Sequence, residues 1–262
     1  MTGRDLGENC RAARRLALEL CMRAGSAGAH VGGVMSLIEI LTVLFCRHFD
    51  PVKDRFVLSK GHGGLALYAA MRTAGLLTEE DLSGAILGEG TMLYKHPVRA
   101  PEKRILFTGG SLGQGAAFAL GTALALRGTG SRTYVVLGDG EMDEGSVWEA
   151  LSAAGHHRPE GLYFLVDANG LQLSGRIEEI QRLEPLKGRL ETFGIPCAEA
   201  DGHDPEAVDA AFSALPAGPA AIVFRTRKGK GVPFAEDAVE WHQKAMTREQ
   251  YETALRALEE NG

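Results

Sequence analysis

Val135-Val136-Leu137-Gly138-Asp139-Gly140-Glu141-Met142-Asp143-Glu144-Gly145 decides the fold, together with the later run Leu165-Val166-Asp167-Ala168-Asn169-Gly170-Leu171-Gln172. Tyr134 to Leu137 reads as a short buried strand, Gly145 to His157 as a helix, and Leu162 to Val166 as a second apolar strand. That is one βαβ unit. Its crossover returns the chain parallel to itself, so both strands end on the same sheet edge, where open α/β folds bind ligands. Asp139 and Asn169 are therefore expected to face one another there. A carboxylate, an amide oxygen and a backbone carbonyl such as that of Leu171 form a hard oxygen donor set, suited to magnesium carrying a diphosphate. Taken alone, Gly-Asp-Gly is an ordinary turn. The strand before it, the helix after it and the second strand ending at Asn169 make it a cofactor-binding prediction.

The rest of the chain sets limits on this reading. With 262 residues, 45% hydrophobic and 24% charged, it suits one doubly wound α/β domain, a mostly parallel sheet flanked by helices, spanning 1–262. No internal repeat, Pro/Ser-rich linker or charge run divides it. A net charge of -6 without a Lys/Arg-rich block speaks against nucleic acid or an acidic membrane surface, and leaves a small molecule as the expected ligand. Cys10, Cys21, Cys46 and Cys197 lack metal-ligand spacing and the density of a disulfide scaffold, so they are expected to be reduced. Met1 to Cys10 has no apolar stretch, which predicts no signal peptide, and Leu37 to Phe45 is too short to span a bilayer. A cytoplasmic location is the expectation.

In chain order, residues 8–23 predict an amphipathic helix, broken by Gly25-Ser26-Ala27-Gly28-Ala29-His30-Val31-Gly32-Gly33. A helix from Ser36 to Arg47 follows, with Ser36 as N-cap and Glu39 at capping-box spacing. His30 on this loop suits a structural hydrogen bond as well as a catalytic role. Val57 and Leu58 predict a very short strand and Gly63 to Gly75 a helix, which puts Lys60 and His62 at a strand-to-helix turn, where anions bind. Thr78 predicts only a capped helix start. His96-Pro97 falls in an irregular stretch, 89–102, before a strand-like Ile105-Leu106-Phe107. Gly109-Gly110-Ser111-Leu112-Gly113 then opens a small-residue helix reaching about Arg127, and offers backbone N–H groups to a phosphate. Helices at 178–183, 186–193, 205–215 and 247–260 and strands at 197–200 and 220–224 complete the prediction. His203 reads as a structural turn residue. Arg225, Arg227, Lys228 and Lys230 follow the last strand, as an anion site or as a solvated loop.

His30, His62, His96 and His242 occupy loops and strand ends at spacings unsuited to a local zinc site. Histidine exchanges protons near neutral pH, as carbonyl and hydroxyl chemistry on a sugar requires. The Gly-Asp-Gly and Asn169 pair resembles the thiamine diphosphate signature, and from Arg15 to Ala245 the chain resembles the N-terminal, diphosphate-binding half of transketolase. The resemblance implies Asp139, Asn169 and the Leu171 carbonyl as ligands of Mg2+, or of Ca2+ or Mn2+ in its place. It implies that Lys60, His62, Gly110, Leu112, Gly140, Glu141, Asn169, Lys228 and His242 line thiamine diphosphate. The four histidines, His30, His62, His96 and His242, would act at the sugar hydroxyl and carbonyl, and Glu144 would lie at a contact between subunits.

A full-length transketolase adds a pyrimidine-binding domain, with the glutamate that contacts the aminopyrimidine, and a further C-terminal domain. Neither has a counterpart here. The resemblance thus implies the N-terminal subunit of a split transketolase, in an α2β2 heterotetramer with a second chain, moving a two-carbon unit from a ketose to an aldose. Lys95, Ala29 and Gln243 depart from the family pattern, Lys95 either as a charge near an anionic sugar or as a solvated side chain. Another thiamine diphosphate-dependent synthase or decarboxylase component, or a non-catalytic diphosphate-binding subunit, stays open beside this reading.

Overall fold

Strand residues alternate between two apolar layers, and this alternation builds the molecule. In the computed structural model, which describes residues 5–83 and 94–260, Tyr134 and Val136 join one core while Val135 and Leu137 join the other. Tyr163 and Leu165 against Phe164 and Val166, and Ile222 against Val223, do the same. A sheet apolar on both faces must be covered on both, which is the condition of a parallel sheet.

The elements run α1 (Leu6–Arg23), α2 (Val31–Met35), α3 (Ile38–Val43), β1 (Arg55–Leu58), α4 (Gly64–Thr73), α5 (Gln114–Ala125), β2 (Thr133–Gly138) and α6 (Gly145–His157). They continue through β3 (Leu162–Ala168), α7 (Ile177–Ile180), α8 (Leu186–Thr192), β4 (Cys197–Asp201), α9 (Pro205–Ser213), β5 (Ala220–Arg225) and α10 (Arg248–Glu260). The five strands lie in the order β1-β2-β3-β5-β4, every pair parallel, with Val135 opposite Phe164 and Val166 opposite Val223. Helices α1, α3, α4 and α9 pack on one side, α5, α6 and α8 on the other. The predicted doubly wound sheet is what forms.

Because all strands point the same way, their carboxyl ends share one edge. Lys60 follows β1, Asp139 follows β2, Asn169 follows β3 and Lys228 follows β5. The four residues reach a common rim from four adjacent strands.

Several expected boundaries move. The single helix over 36–47 is instead α3 and a wider π-turn at Leu44–His48, with α2 ending just before it at Met35. Ser36 does not cap it: its hydroxyl donates to Gly33 O and to Asp167 Oδ2, and Glu39 turns away to Arg14. Gly32 and Gly33, expected in a loop, are helical. A Cβ on Gly32 would lie 2.8 Å from the Lys228 side chain, and one on Gly33 would lie 2.6 Å from His62, so the missing side chains admit these two residues. Ile105-Leu106-Phe107 adds no sheet strand; Ile105 makes only an isolated bridge to Ala100. The helix expected over 178–183 is the single turn α7. Of the irregular stretch 89–102, residues 89–93 lie outside the described residues, and the remainder is irregular except for a 3-10 turn at Pro101–Lys103 that overlaps its end. All four cysteines are free thiols, and no helix among the described residues is long and apolar enough to cross a membrane.

Candidate functional site

Asp139 leaves β2 with its side chain folded back onto the backbone. Its Oδ1 accepts from Gly140 N at 2.8 Å and its Oδ2 from Gly170 N at 2.5 Å, which ties the end of β2 to the turn after β3. Burial, followed by the nearby Asp167 charge, pushes the Asp139 carboxyl up to about 7. The Lys60 charge works against this rise, but Lys60 is fully buried and its Nζ donates to Asp167. Asn169 is oriented by the same group, its Nδ2 donating to Asp167 Oδ2 at 3.3 Å while its Oδ1 accepts from Leu171 N.

No cluster of three His, Cys, Asp or Glu side chains suited to a metal occurs among the described residues. The donors at this rim are one carboxylate and neutral oxygens. Such a set fits a hard divalent cation that draws its remaining ligands from phosphate oxygens and water. A buried carboxylate that makes no ion pair among the described residues and sits beside the Asp167 charge fits it too, because the cation would add a direct countercharge.

Glu141, 2% exposed, faces the glycine-rich loop. Its Oε1 accepts from Ser59 Oγ and from Gly113 N at 2.8 Å, and its Oε2 from Gly138 N at 3.1 Å. One carboxylate thus joins the ends of β1 and β2 to the start of α5, and fixes the loop that carries Gly110 and Leu112. Burial raises its pKa, the donors working against that rise.

The four histidines meet. His30 sits 5.0 Å from His96, 5.4 Å from His242 and 5.8 Å from His62 between ring centroids, and His62 is 5.4 Å from His242. Burial, then the neighbouring rings and lysines, lowers His30 to about 3 and His242 to about 4, and lowers His62 and His96 as well. They are neutral at physiological pH and can each accept or donate a proton according to tautomer. The buried Nδ1 of His30 has no protein partner among the described residues. Lys228 completes this wall, its Nζ 2.9 Å from Gln172 O, 3.5 Å from Leu171 O and 3.2 Å from His242 Nδ1.

All of these groups line one cleft of about 250 Å³: His30, His62, His96 and His242; Lys60, Gly110, Leu112, Gly140, Glu141 and Lys228; Asp139, Asn169 and Leu171. Every residue expected from the sequence to bind metal, cofactor or sugar is in it. A larger hollow of about 620 Å³ borders Asp139 on another side, but its Arg176 and Arg225 are engaged by Asp237 and by Glu184 and Glu199.

Of the basic residues after β5, only Lys228 turns inward. Arg225 pairs with Glu184 and Glu199, while Arg227 and Lys230 pair with Glu236. Half-buried Lys95 donates to Ala27 O at 2.7 Å. Glu144 is exposed at the start of α6, and His203 fills a structural role in its turn. Asp167 escaped the sequence reading. It is wholly buried and accepts from Lys60, Ser36, Thr226 and Asn169; the Lys60 charge and these donors hold its carboxyl below the usual range despite burial. An acid near the end of an apolar strand, two residues before Asn169, was the available signal.

Residues 7–259 match the family profile described as transketolase, thiamine diphosphate binding domain. A 6-deoxy-6-sulfo-D-fructose transketolase subunit from a Clostridium species is 37% identical, the match covering 98% of each chain. An apulose-4-phosphate transketolase subunit from Phocaeicola vulgatus is 34% identical over 94% of this chain and 91% of its own. Among solved structures, the transketolase from Leishmania mexicana superposes with a TM-score of 0.85 at 26% identity, over 98% of this chain and 41% of that one. The chain therefore spans about two fifths of that longer transketolase and nearly all of the two subunits.

Proposed function

The chain belongs to the transketolase family, in its thiamine diphosphate binding domain, and from that premise we propose that it is the diphosphate-binding subunit of a two-component transketolase. The observation that carries the reading is the single cleft that gathers Asp139, Asn169, the Leu171 carbonyl and four neutral histidines. Asp139, Asn169 and Leu171 O would hold a magnesium ion against the diphosphate, with Lys228 and the N–H groups of the Gly110 loop facing the same anion. When bound, thiamine diphosphate supplies the electron sink for cleaving a ketose beside its carbonyl and passing the two-carbon unit to an aldose.

The chain's own part is proton handling and orientation. His30 and His96, stacked at 5.0 Å, and His62 and His242 behind them, face the space where a sugar carbonyl and its neighbouring hydroxyl would sit. Being neutral, they can take a proton from that hydroxyl and return one to the carbonyl oxygen. Buried Asp167 holds Lys60 in place, and Glu141 holds the glycine loop.

Relatives of nearly this chain's length are named as subunits, which supports a second chain that brings the pyrimidine-binding half, in an α2β2 assembly. Their names specify a sulfonated and a phosphorylated sugar, so an anionic ketose is the first donor class to test. The test is ketose-to-aldose transfer with magnesium and thiamine diphosphate, by this chain alone and mixed with its candidate partner. Turnover only in the mixture is expected. Turnover by the isolated chain, or none in the mixture with phosphorylated or sulfonated ketoses, would contradict the proposal.

A further inference from the structure

Lys228 reaches the cleft from the loop after β5, and the backbone on either side of it is tied to side chains from far away in sequence. Arg227 N donates to His203 Nε2 at 2.8 Å, and Lys230 O accepts from Arg14 Nη1 at 2.7 Å. Both tying side chains converge on one carboxylate. Arg14 grips Glu39 with two charge-assisted bonds of 2.6 Å, and His203 Nδ1 lies 3.2 Å from Glu39 Oε2. Since Nε2 accepts from a backbone amide, the ring proton is on Nδ1 and points at Glu39, so two neighbours fix the tautomer.

Glu39 is 3% exposed and sits on α3, Arg14 on α1 and His203 in the turn before α9. An ion pair joining α1 to α3 would need only Arg14 and Glu39. The further bonds to Arg227 N and Lys230 O have no part in that joint; they bracket Lys228. Gly229 N, bonded to Gly32 O at 2.9 Å, adds a third tie from the helix over which the Lys228 side chain passes.

We propose that Glu39, Arg14 and His203 form a clamp that sets the position of Lys228 and, through it, the grip of the cleft on the anionic end of its ligand. They are positioning residues, since none of them lines the cleft. The inference rests on the reading of that cleft as the diphosphate site.

Two readouts test it on the full chain. In cofactor-free protein, the rate at which an amine-reactive reagent labels Lys228 is followed by peptide mass spectrometry. With the candidate partner present, thiamine diphosphate and magnesium binding is followed by calorimetry. His203→Ala removes the acceptor for Arg227 N, His203→Gln restores one through its side-chain carbonyl, and Arg14→Lys keeps a charge for Glu39 while losing the fork that reaches Lys230 O.

We expect His203→Ala and Arg14→Lys to label Lys228 about tenfold faster and to bind thiamine diphosphate about tenfold more weakly, the lower end of what outer-layer groups contribute, with His203→Gln close to wild type. Unchanged labelling and affinity in either folded variant would overturn the clamp, as would a lowered melting temperature with both unchanged, which marks a mere brace. A wild-type protein that takes no thiamine diphosphate would instead refute the functional reading, and the labelling rates would still decide the clamp.

Discussion

His30, His62 and His242 stay neutral in the fold at pH values where the unfolded chain takes up their protons. The ordinary histidine value is 6.5 and the folded values of His30 and His242 are about 3 and 4, so between roughly pH 6.5 and 4 the unfolded state binds more protons. Stability contributed by these histidines is complete above 6.5 and is lost as pH falls. Asp139, raised to about 7, works in the opposite direction by one proton and Glu141 adds to that, but the histidines outnumber them. The unfolding free energy of the isolated chain, measured by urea titration, should therefore fall from pH 7 to 5, by up to ~1.4 kcal/mol per pH unit for each net proton. A level profile would mean that the histidines are solvated. At this scale the sequence was legible where a residue stands next to its motif: Asp139, Asn169, Lys60 and the histidines. It was silent on Asp167 with Ser36 and on Glu39 with Arg14, because each pair joins residues that are distant along the chain.

At the scale of elements, the strands were legible because runs such as Tyr134-Val135-Val136-Leu137 are buried on both faces and admit no polar residue. Helix limits were less so. Gly32 and Gly33 have poor helix propensity, yet tertiary contact with Lys228 and His62 overrides it. Helix α5 permits a direct test. Its Gly115 lies against β1's end, where a Cβ would come 2.4 Å from Ser59 Cβ, whereas a Cβ on Gly121 of the same helix would meet nothing. Gly115→Ala should destabilise by about 1–3 kcal/mol through overpacking and disturb the Gly113–Glu141 bond. Gly121→Ala should stabilise by about 0.5–1 kcal/mol through helix propensity. Thermal melts of the two variants check this pair, and equal effects would mean that α5 does not seat on Ser59 as described.

For the whole molecule, parallel strands are what turn scattered motifs into one site. Lys60, Asp139, Asn169 and Lys228 are far apart in sequence, yet each follows the carboxyl end of a neighbouring strand. That edge was predictable from the βαβ reading alone; the meeting of the four histidines was not, since loops carry them and only the packed fold sets their distances. Under the proposed function, cofactor binding depends on a metal held at the end of β2. The most direct measurement is calorimetric titration of thiamine diphosphate into the chain with its candidate partner, with magnesium or with chelator, for wild type and Asp139→Asn. The account predicts stoichiometric binding that requires magnesium and weakens at least ~tenfold in Asp139→Asn, as expected when a buried charged ligand to a cation is lost. Equal affinity in chelator, or an unaffected Asp139→Asn, would contradict it.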